Sequence, residues 1–236
     1  MIQPRRSSAL VALLATPLLA IGTAAWAREA NAPTAHAAEP AASVAPEEAL
    51  ERLRVGNEAF RRGLVNADHV TESRRRELAT GQRPFAIVLS CADSRVPPET
   101  IFAQGLGDLF TIRVAGNIAE PATVASVEYA AVHLGSRLLL VLGHTQCGAV
   151  KAAVAKADDT SAIRELLAAI RPVVETSGPT ATVDEIVQAN VLRVQAELLR
   201  QSELLARLVR EEKLQVAGAV YDLATGEVRR LADVEK

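Results

Sequence analysis

Two short segments of the chain carry side chains that bind metals and transfer protons. The first, C-A-D-S-R, places Cys91, Asp93 and Arg95 at alternate positions, and the second, H-T-Q-C, places His144 three residues before Cys147. Thiolates, imidazoles and carboxylates are the side chains that zinc takes as ligands in tetrahedral sites. If the fold brings the two segments together, these residue types predict a four-ligand zinc site formed by Cys91, Asp93, His144 and Cys147.

Each segment follows a run of residues that is typical of a buried strand. F-A-I-V-L at residues 85–89 precedes the first segment, and L-L-L-V-L at residues 138–142 precedes the second. Both runs are short and apolar, as buried strands are. If the two strands are parallel neighbours, their carboxyl ends share one edge of the sheet, where open α/β sheets bind ligands. We therefore expect the four candidate ligands to converge at that edge.

Arg95 bears on whether such a site could be catalytic. It lies two residues after Asp93, on the same side of an extended segment, and its guanidinium can hold a carboxylate through two hydrogen bonds. Asp93 could then exchange between zinc and Arg95, which would open the coordination position that catalytic zinc sites keep. The alternatives are an ordinary exposed ion pair, worth about 0–1 kcal/mol, and a closed structural site with Asp93 permanently bound.

A disulfide is the alternative to metal binding. Cys91 and Cys147 are the only cysteines in the sequence, and in an oxidising compartment two cysteines suggest a disulfide. A redox protein of this kind would carry no zinc. A disulfide does not explain why Asp93 stands two residues after the first cysteine or why His144 stands three residues before the second. The spacing therefore favours a metal site.

Composition limits the class of protein and its partners. The chain has 236 residues, of which 49% are hydrophobic and 3% aromatic, and its net charge is −2. This length can bury a substantial core and favours one domain. The small net charge creates no field that would attract nucleic acid or anionic lipid. We therefore expect no nucleic-acid partner.

The first residues are typical of an export signal. Arg5 and Arg6 precede an apolar stretch at residues 10–25, and A-W-A at residues 25–27 resembles a cleavage site. We predict a signal peptide over residues 1–27 and a periplasmic protein that meets the membrane only through this signal. An uncleaved anchor is the alternative, and the arginine pair leaves Sec and twin-arginine export both open. Residues 28–46, rich in Ala and Pro, predict a disordered tether, which leaves residues 47–236 as the domain.

Hydrophobic periodicity predicts an α/β fold, a small and mostly parallel sheet wrapped by helices, with an additional C-terminal strand or hairpin. Strands are expected at 85–89, 109–114, 138–142, 214–221 and 228–231. Helices are expected at 47–62, 71–80, 99–103, 121–134, 147–156, 163–174, 183–202 and 203–213.

Three motifs, C-A-D-S-R-V-P-P-E, R-V-A-G-N and G-H-T-Q-C-G-A, resemble those of the β-class carbonic anhydrases. The similarity extends from about residue 47 to about residue 231. It implies a zinc lyase that interconverts carbon dioxide and bicarbonate, built around a four-stranded parallel core as an obligate dimer, with a tetramer also open. A sister activity in the same family, hydrolysis of carbon disulfide or carbonyl sulfide, would use the same ligands and also stays open.

The resemblance also implies roles for individual residues. Cys91, His144 and Cys147 correspond to zinc ligands. Asp93 and Arg95 correspond to a catalytic dyad. The family lines its substrate pocket, partly from the partner subunit, at positions that correspond to Gln82, Phe110, Ala115, Tyr129 and Gly148.

Overall fold

The computed structural model describes residues 43–64, 66–157 and 160–231. The predicted signal peptide over residues 1–27, and most of the predicted tether over residues 28–46, lie outside the described residues. Within the described ranges, no helix is both long enough and apolar enough to cross a membrane.

A five-stranded sheet in the order β2-β1-β3-β4-β5 lies at the centre of the fold. Its strands are β1 (Ala86–Ser90), β2 (Leu109–Arg113), β3 (Leu138–His144), β4 (Gln215–Tyr221) and β5 (Val228–Arg230). The first four pair in parallel, and β5 pairs antiparallel with β4. Every residue of β1 and β3 is buried, as in parallel sheets covered on both faces. The predicted α/β fold with four parallel strands and a C-terminal hairpin is confirmed.

Helices connect and cover the strands. They are α1 (Pro46–Arg61), α2 (Glu72–Leu78), α3 (Pro98–Ile101), α4 (Pro121–His133), α5 (Gly148–Val154), α6 (Ser161–Ala168), α7 (Arg171–Ser177), α8 (Val183–Gln201) and α9 (Glu203–Arg210). Short 3-10 turns lie at Ala67–Val70 and Ala115–Asn117.

The prediction of one helix over residues 163–174 is wrong, because the structure has two. The chain turns after α6 at Ala169 and starts again as α7 at Arg171. Pro172 explains the break: proline has no N–H to donate, and its ring clashes with the carbonyl four residues earlier in a continuous helix. In the first turn of a new helix the missing N–H costs nothing. The other helices and strands differ from prediction by a few residues at their ends.

Helix α8 packs closely against the sheet, where glycines leave room for its side chains. It begins with a capping box, in which Thr182 Oγ1 accepts from Glu185 N at 3.2 Å and Glu185 Oε2 accepts from Thr182 N at 2.7 Å. A Cβ at Gly143 in β3 would stand 2.7 Å from Val191 Cγ2 of α8. A side chain at this point of β3 would therefore push the helix outward, and the glycine fixes α8 against the carboxyl half of β3.

A second close contact joins α1 to α3. A Cβ at Gly56 would stand 1.8 Å from the backbone oxygen of Phe102. The neighbouring Asn57 donates from Nδ2 to Ile101 O and to Gly226 O, both at 2.9 Å. Helix α1 is thus held to α3 and to the turn between β4 and β5 by a glycine contact and by one buried amide.

We predict that Gly56→Ala destabilises the folded protein by about 1–3 kcal/mol or more, because the backbone carbonyl of Phe102 cannot rotate away from the added methyl group. In an unhindered helix the same change would stabilise by up to about 1 kcal/mol. Urea unfolding measures the difference. Gly81→Ala is the control, since a Cβ at Gly81 meets no atom within 4 Å. A Gly56→Ala variant at least as stable as the parent would contradict the α1 contact.

Candidate metal centre

Three of the four candidate ligands meet at the carboxyl edge of the sheet. Cys91 follows the last residue of β1, and His144 is the last residue of β3, the parallel neighbour of β1. Cys147 immediately precedes α5. The three residues are buried, and their ligand atoms all lie within 4.8 Å of one another. Such a group of two thiols and one imidazole could hold a metal ion.

The imidazole of His144 is oriented for metal binding. Its Nδ1 lies 2.9 Å from Thr145 O, and because a carbonyl only accepts, Nδ1 carries the proton. Nε2 is then an unprotonated acceptor, and it is buried without a hydrogen-bond partner. A buried acceptor without a partner costs free energy, which a metal ion at this position would offset. A backbone carbonyl on the far nitrogen is the usual support of a metal-binding histidine.

The two thiols are buried and free, with no disulfide between them. A hydrogen bond from Cys147 lowers the pKa of Cys91 to about 4, and the N–H groups of Asp93 and Gly116, at 3.4 and 3.3 Å from Cys91 Sγ, also favour the thiolate. The same hydrogen bond raises the pKa of Cys147, because its proton is held by the neighbouring thiolate. A bound divalent ion would ionise both thiols. The donor set therefore fits a thiophilic ion such as zinc.

Asp93 lies beside the ligand cluster but is bonded to Arg95. Asp93 Oδ1 accepts from Arg95 N at 3.0 Å and from Arg95 Nε at 2.9 Å, while Oδ2 accepts from Arg95 Nη2 at 2.6 Å. These hydrogen bonds hold the pKa of the Asp93 carboxyl well below its usual range. Asp93 Oδ2 stands 3.9 Å from His144 Nε2. In this arrangement Asp93 pairs with Arg95 and lies beside the three residues whose ligand atoms cluster.

Arg113 supports the C-A-D segment and was not singled out from the sequence. From the end of β2, Arg113 donates from Nε to Cys91 O at 3.1 Å and from Nη2 to Asp93 O at 2.6 Å. It thereby fixes the backbone that carries both side chains. The residue belongs to the R-V-A-G-N motif, but its contact depends on the register that pairs it with Ser90, which the sequence does not contain.

The H-T-Q-C segment is held from two sides. Asp184, in the first turn of α8, accepts from Gln146 N at 2.9 Å. Gln146 has a φ of 58°, in the left-handed region that non-glycine residues rarely adopt. On the other side, Thr145 N donates to Tyr221 O at 2.9 Å. Helix α8 and strand β4 thus hold the backbone on both sides of Gln146 and so position Cys147.

Two of the five expected pocket residues lie next to the cluster. Gly148 follows Cys147, and Ala115 precedes Gly116, whose N–H contacts Cys91. Both residues therefore lie in segments that adjoin the cluster.

The other three pocket residues lie elsewhere in the subunit. Gln82 is exposed before the start of β1, at the opposite end of the strand from Cys91. Phe110 pairs with Ile87 in the first half of β1, and the ring of Tyr129, 49% exposed, lies 6.2 Å from that of Phe110. Within one subunit these three residues do not border the cluster.

Comparison with known proteins decides the family. The family model described as carbonic anhydrase matches residues 86–228. Carbonic anhydrase 2 from Mycobacterium tuberculosis is 37% identical over 190 residues, which cover 77% of this chain and 90% of that protein. The chain belongs to the carbonic anhydrase family.

Solved structures place it in the β class of that family. The β-carbonic anhydrase CafA of Aspergillus fumigatus superposes with a TM-score of 0.62 at 31% identity, over 70% of this chain and 83% of that one. A tetrameric β-carbonic anhydrase from Sordaria macrospora gives a TM-score of 0.63 at 26% identity, over 75% and 91% of the two chains. The resemblance inferred from the three motifs is thus confirmed, and the metal-ligand cluster lies within the matched residues.

We predict that Cys147→Ser and His144→Ala each abolish stable metal binding, because a tetrahedral site retains too few strong ligands. The metal content of the purified proteins, measured by atomic emission, gives the test. His69→Ala is the matched control, since His69 lies outside the cluster, bonded to Asp108, and this variant should keep its metal. Full metal content in Cys147→Ser would remove Cys147 from the ligand set.

Proposed function

We propose that this protein catalyses the zinc-dependent, reversible hydration of carbon dioxide to bicarbonate and a proton. Membership of the β-class carbonic anhydrase family supports the reaction. The single observation that carries the proposal is the position of Asp93, bonded to Arg95 and 3.9 Å from His144 Nε2. A three-ligand cluster with an adjacent ionised carboxylate suits a catalytic metal site better than a closed structural one.

Zinc would be held by Cys91, His144 and Cys147. When bound, zinc supplies Lewis-acid chemistry that lets water act as a nucleophile near neutral pH. Asp93 accepts a hydrogen bond from the reacting water and orients it toward carbon dioxide. Arg95 keeps the carboxylate ionised and aimed at this position, since its two nitrogens hold both carboxylate oxygens.

We propose further that the active form is a homo-oligomer, a dimer or a tetramer, in which Gln82, Phe110 and Tyr129 border the metal centre of a partner subunit. Their distance from the cluster in their own subunit supports this role. Tyr129 and Val132, three residues apart on α4, are each 49% exposed, a surface that a second copy would cover. Sedimentation analysis that gives only monomers at concentrations where the protein is active would overturn the proposal.

Export stays a proposal that rests on the sequence alone. We propose cleavage after Ala27, which would make Arg28 the first residue of a mature periplasmic protein. Mass spectrometry of the protein from its native host tests this. An intact chain recovered from a membrane fraction would support the anchor instead.

We predict that Asp93→Ala and Asp93→Asn keep their zinc but lose about 10²-fold or more of the hydration rate, the range that positioned acid–base groups contribute. Stopped-flow hydration assays with parallel zinc analysis measure both quantities. Glu203→Gln, which removes a carboxylate whose side chain is 83% exposed, is the control and should leave both unchanged. An Asp93→Asn variant with the full hydration rate would rule out the assigned role.

The same preparations should be assayed with carbon disulfide and carbonyl sulfide. We expect hydration of carbon dioxide to be much the faster reaction. Fast hydrolysis of either sulfur compound, with slow hydration, would assign the protein to the sister activity of the family. Full zinc content with none of these reactions would make the site structural.

A further inference from the structure

Asn190 is a buried residue of α8 for which the proposed reaction gives no role. It is 1% exposed, and its Nδ2 donates to Gly116 O at 3.0 Å. Because a carbonyl only accepts, this contact fixes which end of the amide faces Gly116. The other end, Oδ1, is buried without a hydrogen-bond partner. A buried acceptor without a partner costs free energy, so Asn190 lowers the stability of the fold relative to an apolar residue at this position.

Gly116 connects Asn190 to a metal ligand. Its N–H points to Cys91 Sγ at 3.3 Å, while its carbonyl oxygen points to Asn190. These two groups belong to adjacent peptide planes joined at the Gly116 Cα. Gly116 has a φ of 71°, and a Cβ there would stand 2.7 Å from Ile170 Cδ1, so the turn requires glycine. Glycine restrains these planes least of all residues, so the hydrogen bond from Asn190 adds a constraint that the Gly116 backbone does not supply by itself.

The helix that carries Asn190 is itself fixed against the sheet. Val191, the next residue, packs against Gly143 and Gly218, where a Cβ would approach its methyl groups to 2.7 and 2.9 Å. Asp184 of the same helix holds the backbone of Gln146, next to Cys147. Gly116, which contacts Cys91, and Gln146, which precedes Cys147, are therefore both hydrogen-bonded to helix α8.

We propose that Asn190 is a positioning residue for the metal centre, which holds the Gly116 carbonyl so that the Gly116 N–H is directed at the Cys91 sulfur. The inference rests on the proposed metal site. A hydrogen bond to a thiolate withdraws electron density from the sulfur and fixes its lone pairs relative to the metal. Groups that bond directly to metal ligands typically change metal affinity by about 10–100-fold. Asn190 acts through one such group, the Gly116 N–H, so its effect should lie at the lower end of this range or below it.

The test compares two buried asparagines that each bind backbone carbonyls. Asn190→Ala should weaken zinc binding by up to about tenfold, measured by competition with a chelator. In the cobalt(II)-substituted protein, the thiolate-to-cobalt absorption band should move to lower energy, because a sulfur without its hydrogen bond gives up an electron more readily.

Asn57→Ala is the matched control. Asn57 is 5% exposed and also donates to backbone carbonyls, but in the contact of α1 with α3 and with the turn before β5. Its truncation should lower the stability in urea and leave the zinc affinity and the cobalt spectrum as in the parent. A role of Asn190 in packing alone would make the two variants behave alike. Asn190→Leu, which fills the space but cannot donate, serves the same comparison if the alanine variant does not fold.

Unchanged zinc affinity and cobalt spectrum in a folded Asn190 variant would overturn the proposal, and so would equal changes in Asn57→Ala. Failure of the proposed function has a different signature. A parent that binds zinc tightly but does not hydrate carbon dioxide would overturn the proposed reaction, while the affinity and spectral comparison would still decide the role of Asn190.

Discussion

The parallel pairing of β1 with β3 is the constraint on which the metal centre depends. In the observed register Ser90 lies opposite Leu142, which brings Cys91 to the end of β3 beside His144. A slip by one residue would turn the ligands of one strand to the opposite face. Both strands are apolar on both faces, so burial alone does not select the register. The close contact of Gly143 with Val191 fixes β3 relative to α8, and the observed β1–β3 register then places Cys91 beside His144.

Hydrogen bonds from Arg95 account for the position of Asp93. If a divalent ion were bound, the thiolates of Cys91 and Cys147 would neutralise it, and a third anionic ligand would leave the buried set with net negative charge, which is costly. Arg95 gives the carboxylate a cationic partner outside the cluster, in contact with solvent, with 54% of its side chain exposed. The carboxylate therefore stays ionised close to the metal position without belonging to it. Arg113 adds a second guanidinium, which holds the backbone of the same segment.

The sequence was sufficient for the sheet, for the order of its strands along the chain and for the ligand-bearing segments, because each depends on local patterns of apolar and chemically distinctive residues. It was insufficient for the residues that hold these segments in place. Arg113, Asp184 and Asn190 act through backbone groups that are distant in sequence, and such contacts exist only once register and helix packing are set. The break at Pro172 is different: its signal was in the sequence, but the apolar spacing on both sides outweighed it.

Metal binding and folding are coupled in such a site. The folded chain brings the ligand atoms of Cys91, His144 and Cys147 within 4.8 Å of one another. An unfolded chain does not hold these atoms together, so a metal ion bound by them would stabilise the folded state selectively. The close packing of α8 against β3 and β4 therefore has two effects. It stabilises the core, and it holds the three ligand residues close together, so that metal binding would stabilise the folded state further.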